Sequence, residues 1–301
     1  MSSRRQTATY LKTRFAEVGI ALQSRHGQNF LIDLNLLELL AQAADIEPRD
    51  VVLEVGTGTG SLTALMAPQA AAVVTVEIDP RLHQLAYEEL IDFDNVTMLQ
   101  QDALKNKNTL DPRVIEAVCS ALSAGPDRTF KLVANLPYSV ATPVVSNLLA
   151  GDPTPASMTI TIQKELADRI LAVPGTKDYG SLSVWVQSQC TAELVRTIPC
   201  EAFWPRPKVT SAILQIRLDE QRRAQIADRP FFHTFIRGLF NHRRKFLRSV
   251  LPSVFKGQLE KPDADAILDE LGIPTATRAE QLDVRTIIHL SDVVQRRLAA
   301  P

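Results

Sequence analysis

Val51-Val52-Leu53-Glu54-Val55-Gly56-Thr57-Gly58-Thr59-Gly60 reads as a short apolar strand running into a glycine turn. Ser61 to Ala67 then reads as the start of a helix. A strand, a glycine turn and a helix open a βαβ unit. The pattern repeats outward. Ala72 to Ile78 is a second buried strand carrying Glu77 at its end, and Arg81 to Ile91 is helical, with Leu82, Leu85, Ala86 and Leu90 on one face. Val96 to Leu99, Phe130 to Ala134 and Met158 to Ile162 are further short apolar runs. Strands alternating with helices predict an α/β fold with a parallel, doubly wound, Rossmann-like sheet. Thr191 to Ile198 and Ala212 to Leu218 read as a late strand pair forming an antiparallel edge.

The glycines and Glu77 point to a nucleoside ligand. Glycine serves where the backbone takes positive φ or passes close to a ligand. A carboxylate ending the next strand can accept both ribose hydroxyls. The spacing is Gly56-x-Gly58-x-Gly60, whereas a dinucleotide's diphosphate calls for Gly-x-Gly-x-x-Gly. A cofactor without phosphates, such as S-adenosylmethionine, fits the shorter spacing. Asp102, at the end of the third strand, is placed to accept from an adenine amine. Its alternative is a turn residue that caps local backbone.

Asn135-Leu136-Pro137-Tyr138 follows the strand Phe130 to Ala134. Open α/β sheets bind ligands at the carboxyl ends of their strands. An amide, a proline and an aromatic there suit a flat base, held by its exocyclic amine while a ring stacks on its face. Asn-x-Pro is also a common turn signal.

The chain has 301 residues, 45% of them hydrophobic, which allows one or two domains. Cys119, Cys190 and Cys200 are far apart and form no CxxC pair, so neither a zinc site nor a disulfide framework is suggested. No apolar run approaches a membrane span, the N-terminus lacks an apolar signal region, and a cytoplasmic location is expected. The net charge of −1 hides an asymmetry. Residues 33–120 carry fifteen acids and five bases, and residues 196–248 carry twelve bases and four acids. Arg4, Arg5, Lys12, Arg14 and Arg25 add positive charge near the start. A chain split this way can present a basic face to a polyanion.

Asp219 to Pro230 is charged and weakly patterned and reads as a linker. Beyond it the pattern is helical over Phe231–Phe240, Arg243–Leu251, Ala264–Leu271 and Val284–Leu298. The expected division is a catalytic domain with an N-terminal arm over 1–219 and a small all-helical domain over 220–301. Arg237, Arg243, Arg244, Lys245 and Arg248 fall in one stretch at the start of the second domain. Positions 237, 244 and 248 share a face if the helix runs through Asn241. Arginines here suit phosphate contacts, which set position and not sequence.

With these motifs in place the chain resembles the ribosomal RNA adenine N6,N6-dimethyltransferases of the KsgA type. The resemblance rests on His26-Gly27-Gln28-Asn29-Phe30-Leu31, Glu54 to Gly60, Asn135 to Tyr138, Gln163-Lys164-Glu165 and Tyr179 to Val184. Phe203-Trp204-Pro205-Arg206-Pro207-Lys208-Val209, Phe240 to Lys245 and Arg278-Ala279-Glu280 also fit, in the family's order. Ser139, Ala141 and His242 depart from it. The resemblance implies a class I methyltransferase fold using S-adenosylmethionine. The substrate it implies is two adjacent adenosines in the terminal hairpin of small-subunit ribosomal RNA, met within a pre-ribosomal 30S particle, and a monomer is expected. It maps cofactor contacts onto Asn29, Leu31, Gly56, Glu77, Asp102 and Asn135, beside Gly58 from the glycine turn. Asn29 and Leu31 carry no pattern that would single them out otherwise.

An adenine amine is a poor nucleophile, because its lone pair is delocalised into the ring. No metal is called for; the site has to orient the amine and localise that pair. Asn135's side-chain oxygen and the Leu136 carbonyl are the expected acceptors. Pro137 stiffens the turn, and Tyr138 stacks on an unpaired base, typically worth ~1–3 kcal/mol. Phe203 is a candidate for the base's other face; its alternative is a core aromatic before a proline-rich turn. The competing functions are a large-subunit RNA methyltransferase, an assembly factor without catalysis, and a dehydrogenase. The last would need a His or Tyr-Lys pair that the sequence does not offer.

Overall fold

The computed structural model describes residues 8–17, 19 and 29–299. Arg4, Arg5, Arg25 and the His26-Gly27-Gln28 part of the N-terminal motif lie outside them. The chain runs α1 (Ala8–Glu17), β1 (Phe30–Leu31), α2 (Leu34–Ala43), β2 (Asp50–Val55), α3 (Ser61–Met66), β3 (Ala72–Glu77), α4 (Pro80–Leu90), β4 (Val96–Gln100). It continues β5 (Leu104–Asn106), β6 (Thr109–Leu110), α5 (Pro112–Ser123), β7 (Thr129–Asn135), α6 (Ala141–Ala150), β8 (Ser157–Gln163), α7 (Lys164–Leu171), α8 (Ser181–Gln187). Then come β9 (Cys190–Ile198), β10 (Phe203–Trp204), β11 (Ser211–Leu218), α9 (Glu220–Arg223), α10 (Arg229–Phe240), α11 (Leu247–Val254), α12 (Lys261–Glu270) and α13 (Val284–Ala299).

Seven strands form one sheet in the order β4-β3-β2-β7-β8-β11-β9. The pairs β2/β3, β3/β4, β2/β7 and β7/β8 are parallel, and β11 lies antiparallel to β8. β2 is buried along its whole length, as a strand covered on both faces must be, which explains its unbroken apolar run. From β2 the chain first winds outward through β3 and β4; it later returns to the other side of β2 as β7 and β8. The order therefore reverses between β2 and β7. That switch point opens a crevice at the carboxyl ends of the strands, where the glycine turn and Asn135 both emerge.

Local chemistry sets the helices that flank this crevice. Asp79 accepts from the backbone of Arg81 and Leu82 and is followed by Pro80, so α4 starts just after the loop carrying Glu77. Asp33 does the same for α2 through Asn35 and Leu36. The core beneath is apolar and continuous: Leu37 and Leu40 of α2, Leu62 and Met66 of α3, and Val52, Val73, Val133 and Ile213 of the sheet are buried together.

By packing, the chain divides into two compact units, 1–167 with 193–217, and 168–192 with 218–301. Residues 168–192 thus pack with the C-terminal part, whereas the sequence reading assigned them to the first domain. The physical reason is α8: Trp185, 1% exposed, lies 4.4 Å from the ring of His233 and 6.3 Å from that of Phe232, both on α10. The expected linker also differs. Residues 220–223 form a helical turn, and Arg223 is buried with its Nη1 donating to Gln189 Oε1 at 2.7 Å. The helix expected from Arg243 starts instead at Leu247. The chain between Asn241 and Phe246 is a turn, so positions 237, 244 and 248 do not share one helix face.

Candidate active site and nucleic-acid interface

A cavity of about 390 Å³ fills the crevice at the switch point. Asn29, Leu31, Gly56, Gly58, Glu77, Asp102, Asn135, Leu136, Pro137 and Tyr138 all line it. Residues chosen from separate stretches of sequence are therefore brought to one wall.

The glycine turn is built from backbone strain that only glycine relieves. Gly56, Gly58 and Gly60 have φ of +88°, +58° and +81°. A Cβ at Gly56 would stand 3.1 Å from the ring of Pro137, and one at Gly58 would stand 3.2 Å from the ring of Phe30. The turn thus fits against Pro137 on one side and against Phe30 of the N-terminal segment on the other. Glu77 pins it: Oε2 accepts from Gly58 N at 2.8 Å and Oε1 from Asp79 N at 3.0 Å. Burial pushes the Glu77 carboxyl above its usual range, partly opposed by those two donors. Each oxygen retains a lone pair for a further donor. Asp102 is exposed, and its Oδ1 accepts from Leu104 N at 2.9 Å. It is both the turn residue and a carboxylate at the cavity's mouth.

Asn135 ends β7, half-buried. Its Nδ2 donates to the Asn29 carbonyl at 2.9 Å. That bond fixes the amide's orientation and turns Oδ1 into the acceptor available to a ligand. The turn beyond is held by Leu136 N on Thr161 O at 3.1 Å and by Val140 N on Pro137 O at 3.0 Å. Tyr138, half-buried, is tethered through its hydroxyl to Ser211 Oγ on β11. Burial raises its phenol above the ordinary value.

Phe203 is a correction. It is 2% exposed, belongs to the apolar core and pairs with Leu31 across the β1/β10 ribbon. It does not line the cavity. Its strand partner Leu31 does line the cavity.

The sequence reading missed Glu54 as a site residue. It is fully buried on β2 and lines the cavity. Thr75, its register partner on β3, donates to Oε2 at 3.0 Å, and Thr63 of α3 bonds the same oxygen. Thr57 and Thr75 share a hydrogen bond at 2.6 Å. Burial pushes the Glu54 carboxyl up to about 8, against the pull of the two threonines and helped by the charge of Glu77. The available signal was an acid inside an otherwise apolar strand.

Glu54, which keeps its proton, Glu77 and Asp102 are the acidic side chains of the described lining, and none of the lining residues is Lys, Arg or His. Such a wall repels a diphosphate and suits a cationic ligand. S-adenosylmethionine carries a sulfonium and no phosphate, so the donor set fits it.

In the second unit, Arg237, Arg243, Arg244, Lys245 and Arg248 are all exposed. Arg243 is committed to the fold: Nε bonds Glu280 Oε2 at 3.1 Å and Nη1 bonds the Lys177 carbonyl at 2.7 Å. Arg248 bonds Asp265 Oδ2 at 2.9 Å. No helix among the described residues is long and apolar enough to cross a membrane.

Comparison with known proteins agrees with this geometry. A family model described as ribosomal RNA adenine dimethylase matches residues 20–295. Ribosomal RNA small subunit methyltransferase A of Streptococcus mutans is 38% identical over 278 residues, covering 92% of this chain and 93% of that protein. Its namesake in Lactiplantibacillus plantarum is 39% identical over 279 residues, 92% of each. Among solved structures, a dimethyladenosine transferase from Plasmodium falciparum superposes with a TM-score of 0.71 at 23% identity, covering 88% of this chain and 97% of that one. The 23S rRNA methyltransferase ErmE gives 0.59 at 24%, covering 88% and 99%. These two likenesses establish a class I methyltransferase fold. From the matched family model and the relatives that share more than a third of its residues over nine-tenths of their length, the chain belongs to the ribosomal RNA adenine dimethylase family.

Proposed function

We propose that this chain transfers methyl groups from S-adenosylmethionine to the exocyclic amines of two adjacent adenosines in the terminal hairpin of small-subunit ribosomal RNA. The observation that carries the reading is Asn135: it lines the cavity, and its Nδ2 donates to the Asn29 carbonyl, which leaves its Oδ1 as the acceptor for a ligand. Family membership and the small-subunit name borne by relatives at 38–39% identity support the choice of RNA.

When bound, S-adenosylmethionine supplies an activated methyl group on a sulfonium. Glu77 and Asp102 would hold its ribose and adenine ends, and Asn29, Leu31, Gly56 and Gly58 would frame it. The chain's own work is to prepare the amine. Asn135 Oδ1 and the Leu136 carbonyl accept its two hydrogens, which draws the lone pair out of conjugation and aims it into the cavity. Pro137 keeps that carbonyl in place, braced against Gly56. The Tyr138 ring, fixed by Ser211, supports the flat face of a flipped or unpaired base. No general base precedes attack, because the amine loses its proton only after the new bond has made it acidic.

Arg237, Arg244 and Lys245 meet phosphates, while Arg243 ties the turn to Glu280 and Arg248 ties α11 to Asp265 on α12. The working partner is then a small-subunit precursor particle, the acting form a monomer, and the compartment that of ribosome assembly. The likeness to ErmE is one of fold over 88% of this chain and carries no choice of RNA. Incubation with methyl-labelled cofactor and separated ribosomal RNAs tests the reading. Label in small-subunit RNA alone is expected; label in large-subunit RNA, or none, would overturn it.

A further inference from the structure

The turn from Asn241 to Phe246 is exposed at every residue. Its cations fall into two groups. Arg243 is bonded to Glu280 and to the Lys177 carbonyl, which ties the turn to its own unit. Arg244 and Lys245 have no ion pair among the described residues. The next residue is an aromatic that a basic surface turn does not need for packing. Phe246 is 45% exposed, in a chain whose phenylalanines are otherwise largely core.

Phe246 is nonetheless rigidly placed. It caps α11, and its carbonyl accepts from Ser249 N at 2.9 Å and Val250 N at 3.1 Å. The Arg278 guanidinium lies over its ring, with Cζ 5.6 Å from the centroid. Arg278 is itself fixed through its backbone N–H, which donates to Gln281 Oε1 at 2.7 Å. A cation over one face of the ring leaves aromatic surface open to solvent next to two uncommitted positive side chains. Single-stranded nucleic acid is recognised by that combination: a π-face for a base and cations for the backbone. An acidic protein surface would satisfy the cations but leave the ring without a counterpart.

We propose that Phe246 is a stacking platform for one unpaired nucleobase of the RNA, with Arg244 and Lys245 taking the phosphates beside it. The inference rests on the ribosomal RNA reading above and adds to it a contact that separates unpaired from paired RNA.

The test uses the full chain and two probes: a single-stranded RNA carrying 2-aminopurine for adenine, and a blunt RNA duplex of the same sequence. Phe246→Ala is expected to weaken single-strand binding about ten-fold, with the duplex changed less than about two-fold. The slope of log affinity against log salt stays unchanged, because the ring carries no charge. Phe246→Trp retains wild-type affinity and quenches the 2-aminopurine. Arg244→Ala and Lys245→Ala each lower the slope by about 0.7 on the single strand. Equal losses on both probes, or wild-type binding by Phe246→Ala, would overturn the platform. So would a loss confined to whole ribosomal subunits, which would assign the ring to a protein contact. If the arginine and lysine variants lower the slope while Phe246→Ala does nothing, stacking fails and the ribosomal RNA reading stands. If wild-type protein binds neither probe and labels no RNA, both fail.

Discussion

The glycine turn of the first unit and the basic turn of the second are both short loops leaving regular elements, and they are held by different forces. Gly56 to Gly60 is fixed by backbone at positive φ, by Glu77 on Gly58 N and by contact with Pro137 and Phe30. Asn241 to Phe246 is exposed throughout and is held by the Arg243 side chain in the turn and by the Phe246 carbonyl at the start of α11. A small cofactor and a reacting amine demand placement to a fraction of an ångström, which buried backbone supplies. A polyanion demands charge at roughly the right spacing, which exposed side chains supply. The first turn should be intolerant of substitution and indifferent to salt, and the second should be the reverse.

The largest effect is expected at Asn135. Asn135→Ala should lower methyl transfer by about 10²–10³, the scale of losing one preorganised transition-state partner, while cofactor binding stays measurable by calorimetry. Glu54 comes next and is read in stability. Its carboxyl holds a proton to about pH 8 when folded and releases it near 4.5 when unfolded. The folded state then binds more protons between those values, so stability falls as pH rises through that window and levels off above it, by an amount on the order of several kcal/mol. Denaturant melts at stepped pH should show this fall in the wild type and a clearly smaller one in Glu54→Gln, the remainder coming from Glu77.

Gly56→Ala sharpens the contrast between the turns. A side chain there is strained at φ +88° and presses on Pro137. It should cost roughly 1–2 kcal/mol and lower cofactor affinity and transfer together, at any salt concentration. Arg244→Ala should do the opposite: leave the melting temperature and cofactor affinity alone while making RNA binding less salt-dependent by close to one counterion. Arg243→Ala should also lower the melting temperature, since it loses Glu280. The smallest effect belongs to Tyr138→Phe, which keeps the ring and loses only the tether to Ser211. A decrease in transfer within about five-fold is expected, as for one neutral hydrogen bond.

Much of this was legible in the chain because it is written locally. An apolar run ending in glycines and an acid on the next strand place a nucleoside site without any long-range knowledge. What stayed hidden depends on partners distant in sequence. Asn29 carries no signal until its carbonyl is seen to orient Asn135 across more than a hundred residues. Phe203 has the composition of a stacking residue, and only its pairing with Leu31 reveals it as core. The helix drawn through Arg243 failed because periodicity cannot register a turn whose geometry is fixed by Glu280 and the Lys177 carbonyl. Trp185 likewise looked like part of the first domain until its contact with Phe232 and His233 appeared.

The identity of the methylated atom decides whether Asn135 and Leu136 do what their placement implies. Small-subunit RNA treated with the protein and S-adenosylmethionine, digested to nucleosides and resolved by mass spectrometry, should yield adenosine bearing two methyls on its exocyclic nitrogen, in adjacent positions. Methyl groups on a ring nitrogen, on ribose or on another base would mean that the amine is not what these two oxygens hold.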